Sequence, residues 1–416
     1  MSGKNGNQYS ISKLFLKFNQ LLWKKSFLQN IRVLFYWIDG ALLLTCKGRG
    51  KETPEGCGRK KVLVIYNMAL GDGVMFYGVS KAIREIWPKG QYEVTITCQS
   101  AFSSLYESAG IYDKVLPLDF SGAVINLKKR RELFGKLREE SYDLVVDPVG
   151  CEDCTTNMFV ARAAKGKRKI GVLDMSIKER QAPEWLRRKI YHKVVEIRQG
   201  QIHLIRYYGE FFRKLGAKSC IPKPAELPAA ELPFEVPERF FIIFPVASME
   251  VKKWPLKRYA YLAKKIYNKA KMPLVVCGTE HDRQGIEEFL RLLPDVEVKD
   301  YIGKTNIMQF IELIGRASLV VSNDTSAYHI AVAKQVPVAM VCGGYTYHRY
   351  AKYDYEKEGC RTPLLVRQEM ECYDCNNHCC YTGFQLFPCI DKIGAKEAWK
   401  EISALMEREG LCTDDN

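Results

Sequence analysis

From Phe240 onward the chain alternates short apolar runs with amphipathic stretches, and this rhythm restricts the fold more than any other feature. FFIIFP (240–245), PLVVCG (273–278), VEVKDY (296–301), SLVVSND (318–324) and PVAMVCG (337–343) read as buried strands. Helical patterns at about 256–269, 281–292, 306–316 and 326–334 separate them. Strands alternating with helices over short links require a parallel sheet with helices on its faces. Ligands in such sheets sit at the carboxyl ends of the strands.

A similar series precedes it. KVLVIYNMALGDGV (61–74) joins a strand to a helix through a glycine-containing turn, and EVTITC (93–98), KVLPLD (114–119) and YDLVVDPV (142–149) add strands. HLIRYYGEFFRKLG (203–216) is an amphipathic helix ending at Gly216. Prolines at 222, 224, 228, 233 and 237 mark residues 221–238 as a linker. The expected architecture is α/β, with two Rossmann-like domains facing a cleft, residues 61–220 and 239–416, behind an N-terminal arm and linker at 1–60.

Charge adds a partner. The chain carries 63 basic and 48 acidic residues, net +15, and residues 1–60 supply +8 of it. That balance favours an anionic partner: a phospholipid surface, a phosphorylated substrate or nucleic acid. Within 11–45, Ile11, Leu14, Phe15, Phe18, Leu21 and Leu22 fall at helical spacing with lysines largely off the stripe, and Trp23 and Trp37 follow. VLFYWIDGALLL (33–44) is only 12 residues long and holds Asp39, too short for a span needing about 20 apolar residues. The arm is expected to meet an anionic membrane surface; a helix packed on the body is the alternative. No secretory signal is evident at the start, so the fifteen cysteines are expected to be mostly reduced, in a cytosolic setting.

Three places carry candidate chemistry. Asp72 stands between Gly71 and Gly73 at a strand-to-helix turn. It is either a helix cap or a carboxylate placed to take a proton from a substrate hydroxyl. ASMEVKKWP (247–255) follows a strand; Lys252 or Lys253 could meet a phosphate there, or the loop could be solvated with Trp254 as a core anchor. In SLVVSNDTSAYHIAVA, Asp324 and Thr325 can cap a helix whose first amides, at Thr325, Ser326 and Ala327, form an anion site, with His329 one turn in. His329 could equally be a satisfied core histidine.

Two further groups are weaker. Cys372, Cys375, Cys379 and Cys389 have spacing that would suit a metal, a thiol clip or simple packing. Lys128, Lys129, Arg130 and Arg131 form one of three basic runs in the first half and could face a phosphorylated acceptor, although a solvated face is the default. No RNA-reading aromatic motif accompanies them, so nucleic acid is not expected.

Taken in order, VLVIYNMALGDGVMFYGVSKAIREIWP, YDLVVDPVG, HLIRYYGEFFRKLG, FPVASMEVKKWPLKRYAYLAKKI, VVCGTEHDR and the block 300–344 resemble glycosyltransferase family 9, the ADP-heptose:lipopolysaccharide heptosyltransferases. The resemblance covers residues 61 to about 400 and implies a GT-B fold, an N-terminal acceptor domain and a C-terminal nucleotide-sugar domain. It implies an inverting, metal-independent transfer without a cofactor, from a nucleotide-sugar donor to a membrane glycolipid acceptor. By position, Asp72 matches the family's general base and Lys252 the lysine of K-x-W-P that contacts the diphosphate. Asp282 matches loosely an acid near the ribose. Asp324, Thr325 and His329 match the D-T-G-x-x-H motif at the donor site, where Ser248, Ser326 and Ala327 would also line the pocket. Ser326 replaces the motif's glycine, and the N-terminal arm is extra. A sugar-nucleotide epimerase or hydrolase of the same fold, or a silent envelope-assembly scaffold, are the competing expectations.

Overall fold

The structure, a computed structural model, describes residues 26–46, 58–123, 126–151, 156–177, 181–247, 249, 252–376, 379–380 and 386–413. In chain order the elements used below are α1 (Ser26–Thr45), β1 (Lys60–Ile65), α2 (Leu70–Tyr77), β2 (Tyr92–Cys98), β3 (Lys114–Pro117), α3 (Leu127–Leu137), β4 (Ser141–Asp147), α4 (Thr156–Ala163), β5 (Lys165–Asp174), α5 (Glu184–Ile190), β6 (Lys193–Ile197) and α6 (Leu204–Leu215). Then follow β7 (Phe241–Phe244), α7 (Leu256–Ala270), β8 (Leu274–Val276), α8 (Arg283–Leu290), β9 (Val298–Asp300), α9 (Ile307–Gly315), β10 (Leu319–Ser322), α10 (Ser326–Ala333), β11 (Val338–Val341), β12 (Leu364–Val366) and α11 (Ala395–Arg408). The chain forms two compact units: one takes the residues up to Asn67 with Leu118–Glu196, the other Met68–Pro117 with Ile197–Asn416.

In the first unit β1 pairs parallel with β4, and β4 with β5. Val62–Ile65 and Val145–Val146 are buried, as the apolar run of a parallel strand covered on both faces should be. Helix α1 belongs to this unit. Its Asp39 is buried in an ion pair with Arg130 of α3, whose second nitrogen donates to the carboxylate at 2.6 Å. The Arg130 guanidinium also lies over the rings of Phe120, Phe134 and Phe159 at 4.9, 5.6 and 5.2 Å. Arg162 of α4 covers the ring of Tyr36 at 3.5 Å. Thus the described part of the arm packs on the body by one face; residues 11–25 lie outside the described residues.

In the second unit β2 pairs parallel with β3, and a six-stranded sheet runs β12-β11-β10-β7-β8-β9 with every register parallel. β7 to β11 fall within the segments expected from sequence, trimmed by a few residues at the ends, whereas the edge strand β12 was not expected. Helix α7 buries Tyr259, Leu262, Ala263 and Ile266 against Phe241, Ile243 and Leu274. α9 begins with a reciprocal capping box between Asn306 and Gln309. Among the described residues, no helix is long and apolar enough to cross a membrane.

Candidate active site

β7 and β10 are hydrogen-bonded neighbours, so the loops after them leave the same carboxyl edge of the second sheet. Asn323 ties those loops together: its Oδ1 accepts from the Trp254 amide at 3.3 Å and its Nδ2 donates to the Phe244 carbonyl at 3.3 Å. Trp254 is buried, donates its indole N–H to the Ile393 carbonyl at 3.0 Å and packs edge-on against Tyr259. The core-anchor reading of Trp254 therefore holds, and that anchor fixes where Lys252 emerges, two residues earlier.

Lys252 Nζ lies 3.2 Å from Asp324 Oδ2 and 5.6 Å from the Tyr345 ring centroid. Tyr345 donates its hydroxyl to the same Asp324 oxygen. The other oxygen, Oδ1, is 3.8 Å from His329 Nε2. Burial pushes the Asp324 carboxyl up, but Lys252, His329 and Tyr345 outweigh it and hold the group well below the usual carboxylate range. Asp324 thus stays ionised at the mouth of α10. Thr325 is the N-cap of that helix; its hydroxyl is 3.0 Å from Ser322 Oγ and makes no capping bond to the helix. Thr325 and Ser326 are partly exposed, and Ala327 is buried. His329 is buried, with Nδ1 2.8 Å from the Tyr353 hydroxyl.

Asp72 belongs to the same unit, in the first turn of α2, and α2 packs on α10. The contact is close because of Gly71: a Cβ there would stand 2.8 Å from the His329 ring and 3.5 Å from Ser326 Cα. A Cβ on Gly73 would stand 2.8 Å from the Tyr106 hydroxyl. Neither glycine has a positive φ, so both serve close approach, not backbone freedom. Ala69 is the N-cap and lacks a capping side chain. The Ala69 backbone acts to lower the Asp72 carboxyl, which fits the cap reading of this residue. Burial lifts the Asp72 carboxyl above the usual range; the charges of His329 and Lys252 pull it back, and Asp324 adds to the rise. Four of the expected residues, Asp72, Lys252, Asp324 and His329, therefore act on one another electrostatically in one unit.

Other expected residues fare differently. Ser248 lies outside the described residues. Asp282 sits in the loop after β8, and its Oδ2 accepts from the Thr279 amide at 3.0 Å and hydroxyl at 2.8 Å, a capping box. Arg130 is buried against Asp39, so this member of the basic run is a structural residue, whereas Lys128, Lys129 and Arg131 are exposed. Cys372, Cys375, Cys379 and Cys389 are free thiols, and among the described residues no three His, Cys, Asp or Glu side chains converge to hold a metal. Tyr345, Tyr353 and Asn323 were not anticipated as site residues. The signal available was the tyrosine-dense run GGYTYHRYAKYDY directly after β11.

Comparison with known proteins places this geometry. The model of the family described as glycosyltransferase family 9 (heptosyltransferase) matches residues 130–376. Lipopolysaccharide heptosyltransferase 2 of Salmonella typhimurium is 24% identical over 300 residues, covering 68% of this chain and 82% of that protein. A glycosyl transferase family 9 protein from Veillonella parvula superposes with a TM-score of 0.67 at 15% identity, covering 86% of this chain and 100% of that one. The E. coli ADP-heptose lipopolysaccharide heptosyltransferase II does so with a TM-score of 0.60 at 19% identity, covering 84% and 99%. The expected GT-B fold is the fold of these structures.

Proposed function

We propose, from the premise that this chain belongs to glycosyltransferase family 9 and is a glycosyltransferase, that it transfers a heptose from ADP-heptose to a hydroxyl of a lipopolysaccharide-type glycolipid. The observation that carries the reading is the set Lys252, Asp324 and His329 at one sheet edge with the Asp72 carboxylate held against it. The relatives named for lipopolysaccharide heptosyl transfer support the choice of sugar and acceptor. In this reading residues 239–416 hold the nucleotide-sugar and residues 61–220 meet the acceptor, with the enzyme working as a peripheral protein on the cytoplasmic face of the membrane.

The chemistry is a single displacement. The acceptor O–H gives its proton to the Asp72 carboxylate as the oxygen bonds to the anomeric carbon. The bond from that carbon to the diphosphate oxygen breaks, and its electron pair leaves with ADP. Attack opposite the leaving group inverts the centre. A base with a raised carboxyl pKa lies closer to the operating pH, where proton transfer is most effective. In this reading the leaving diphosphate gains negative charge, which Lys252 and the amides at the start of α10 meet. Asp324, kept ionised, anchors the lysine and accepts hydrogen bonds from sugar hydroxyls. These protein cations and dipoles make the transfer independent of a metal.

The test is incubation of the full chain with ADP-heptose and a heptose-deficient lipopolysaccharide acceptor, with and without chelator, followed by mass spectrometry. A one-heptose mass increase, unchanged by chelator, is expected, with NMR of the product showing the anomeric centre inverted relative to the donor. Release of free heptose without an acceptor product would convert the reading to a hydrolase.

A further inference from the structure

Helix α1 has two unlike faces. Tyr36 and Asp39 are buried on one, pinned by Arg162 and Arg130. Gly40 lets Arg162 in, since a Cβ there would stand 3.0 Å from the guanidinium. On the opposite face Leu34, Trp37, Ala41 and Leu44 recur at i, i+3, i+7 and i+10 and are exposed, the three large ones by 54%, 61% and 88%. A helix stripped to water on an apolar stripe, while its other face is fixed by a buried ion pair, is a surface waiting for a partner.

The surroundings say which partner. Tyr36 makes edge contacts at 5.5 Å with both Trp37 and Trp185, so the exposed Trp185 of α5 extends the apolar patch. At the other end Arg131 donates to the Thr45 carbonyl at 3.3 Å, which brings α3 alongside Leu44. α3 carries exposed Lys128, Lys129 and Arg131 against exposed Glu132, and α5 carries exposed Arg188 and Lys189 against Glu184, which pairs with Arg188. The one acid of α1, Asp39, is buried and neutralised. Tryptophan and leucine in the middle with lysine and arginine around them is the chemistry of an interfacial helix on an anionic bilayer. We infer that the Leu34–Trp37–Ala41–Leu44 face of α1, with Trp185, lies in the headgroup region of a bilayer bearing anionic lipids. Because α1 is bolted to the first unit, the lipid contact orients that unit instead of tethering it on a loose arm. This goes beyond the transfer reaction and does not depend on it.

The experiment is co-sedimentation of the full chain, without donor or acceptor, with vesicles of phosphatidylcholine alone or with 30% (roughly physiological) phosphatidylglycerol. Binding to the anionic vesicles is expected, falling with salt. Trp37→Ser with Leu44→Ser removes two exposed side chains and should weaken it by roughly a hundredfold with an unchanged melting temperature. Lys128→Gln with Lys129→Gln should weaken only the anionic-vesicle binding, by about 5–30-fold. A Trp37/Leu44 variant that binds as well as the native chain overturns the proposal and moves the contact elsewhere, including to residues 1–25. A native chain that sediments as a dimer while the variant is monomeric also overturns it, since a second copy then covers the stripe.

Discussion

Asp72 and Asp324 are the same residue type at similar places, each beside the first turn of a helix, and their helices pack together. Burial pushes both carboxyls upward, yet Asp72 ends above the usual range and Asp324 well below it. The difference lies in direct partners. Asp324 has an ammonium at 3.2 Å, a tyrosine hydroxyl and an imidazole at 3.8 Å. Asp72 is acted on by the charges of His329 and Lys252 and by the Ala69 backbone, with Asp324 opposing them, and burial outweighs these pulls. One acid is therefore held as an anion, and the other takes up a proton more readily than an ordinary aspartate does. Two carboxylates pushed apart in pKa by their surroundings is the pattern expected of a division of labour.

Breaking the poised member should have the largest effect. Asp72→Asn keeps the size and the contact with Ala69 but removes the basicity, and kcat should fall by about 10²–10⁴-fold. Calorimetric ADP affinity should hardly change, because Lys252 and α10 are untouched. If Asp72 served only as a cap, Asn would transfer sugar at near the native rate, and only Asp72→Ala would lower the melting temperature, for a loss of about 0.5–2 kcal/mol. In the native enzyme, kcat/KM should decline as pH falls through the Asp72 pKa. Since that pKa is raised, the acid limb should lie above the ordinary Asp range, near pH 4.

Lys252→Met tests the cation both acids share. If Lys252 meets the diphosphate as proposed, loss of its charge should lower kcat/KM by about 10²–10³-fold. The same change removes a charge that lowers both carboxyl pKa values, so the residual activity should show its acid limb at higher pH than the native enzyme. A limb that stays put would mean that Lys252 does not act on Asp72. Tyr345→Phe is narrower: it takes one donor from Asp324 and leaves Asp72 alone. A hydrogen bond to a charged group corresponds to about 10–100-fold, and the loss should appear in donor KM more than in kcat.

How much of this was readable beforehand varies with the physics involved. The second sheet was legible nearly strand for strand, because buried parallel strands are continuous apolar runs and their links are short. Asp72, Lys252, Asp324 and His329 were each legible as strand-end or helix-start residues, whereas their electrostatic grouping needed the fold. Arg130 was misread as one charge in a surface run; its partner Asp39 lies 91 residues away, and nothing local announces burial. Gly71 and Gly73 were read as the neighbours of Asp72 at a turn, whereas they let α2 approach His329 and Tyr106. For the arm, membrane contact and packing were read as alternatives, and α1 packs by one face while exposing another. Tyr345 and Tyr353 were missed because they come back to Asp324 and His329 from a loop more than twenty residues downstream.

The smallest expected effect comes from Tyr353, which touches neither acid. Its hydroxyl lies 2.8 Å from His329 Nδ1, and the rings of Tyr353 and His203 pack with centroids 4.2 Å apart, so the tyrosine is held on both sides. A fixed partner on Nδ1 decides, whenever the ring is in its neutral form, which nitrogen carries the proton, and hence what Nε2 presents toward Asp324. Tyr353 is thus a positioning residue: it would act through His329, not on the substrate. Tyr353→Phe removes one neutral hydrogen bond, which corresponds to about 2–10-fold, and should lower kcat with little change in melting temperature. Nitrogen-15 NMR of the imidazoles, with the His329 signal identified by its absence from His329→Gln, should show a changed tautomer balance at His329. A purely structural role for the hydroxyl would alter stability and leave that balance as it is. Such a result would leave the contrast between the two aspartates resting on Lys252 and Tyr345 alone.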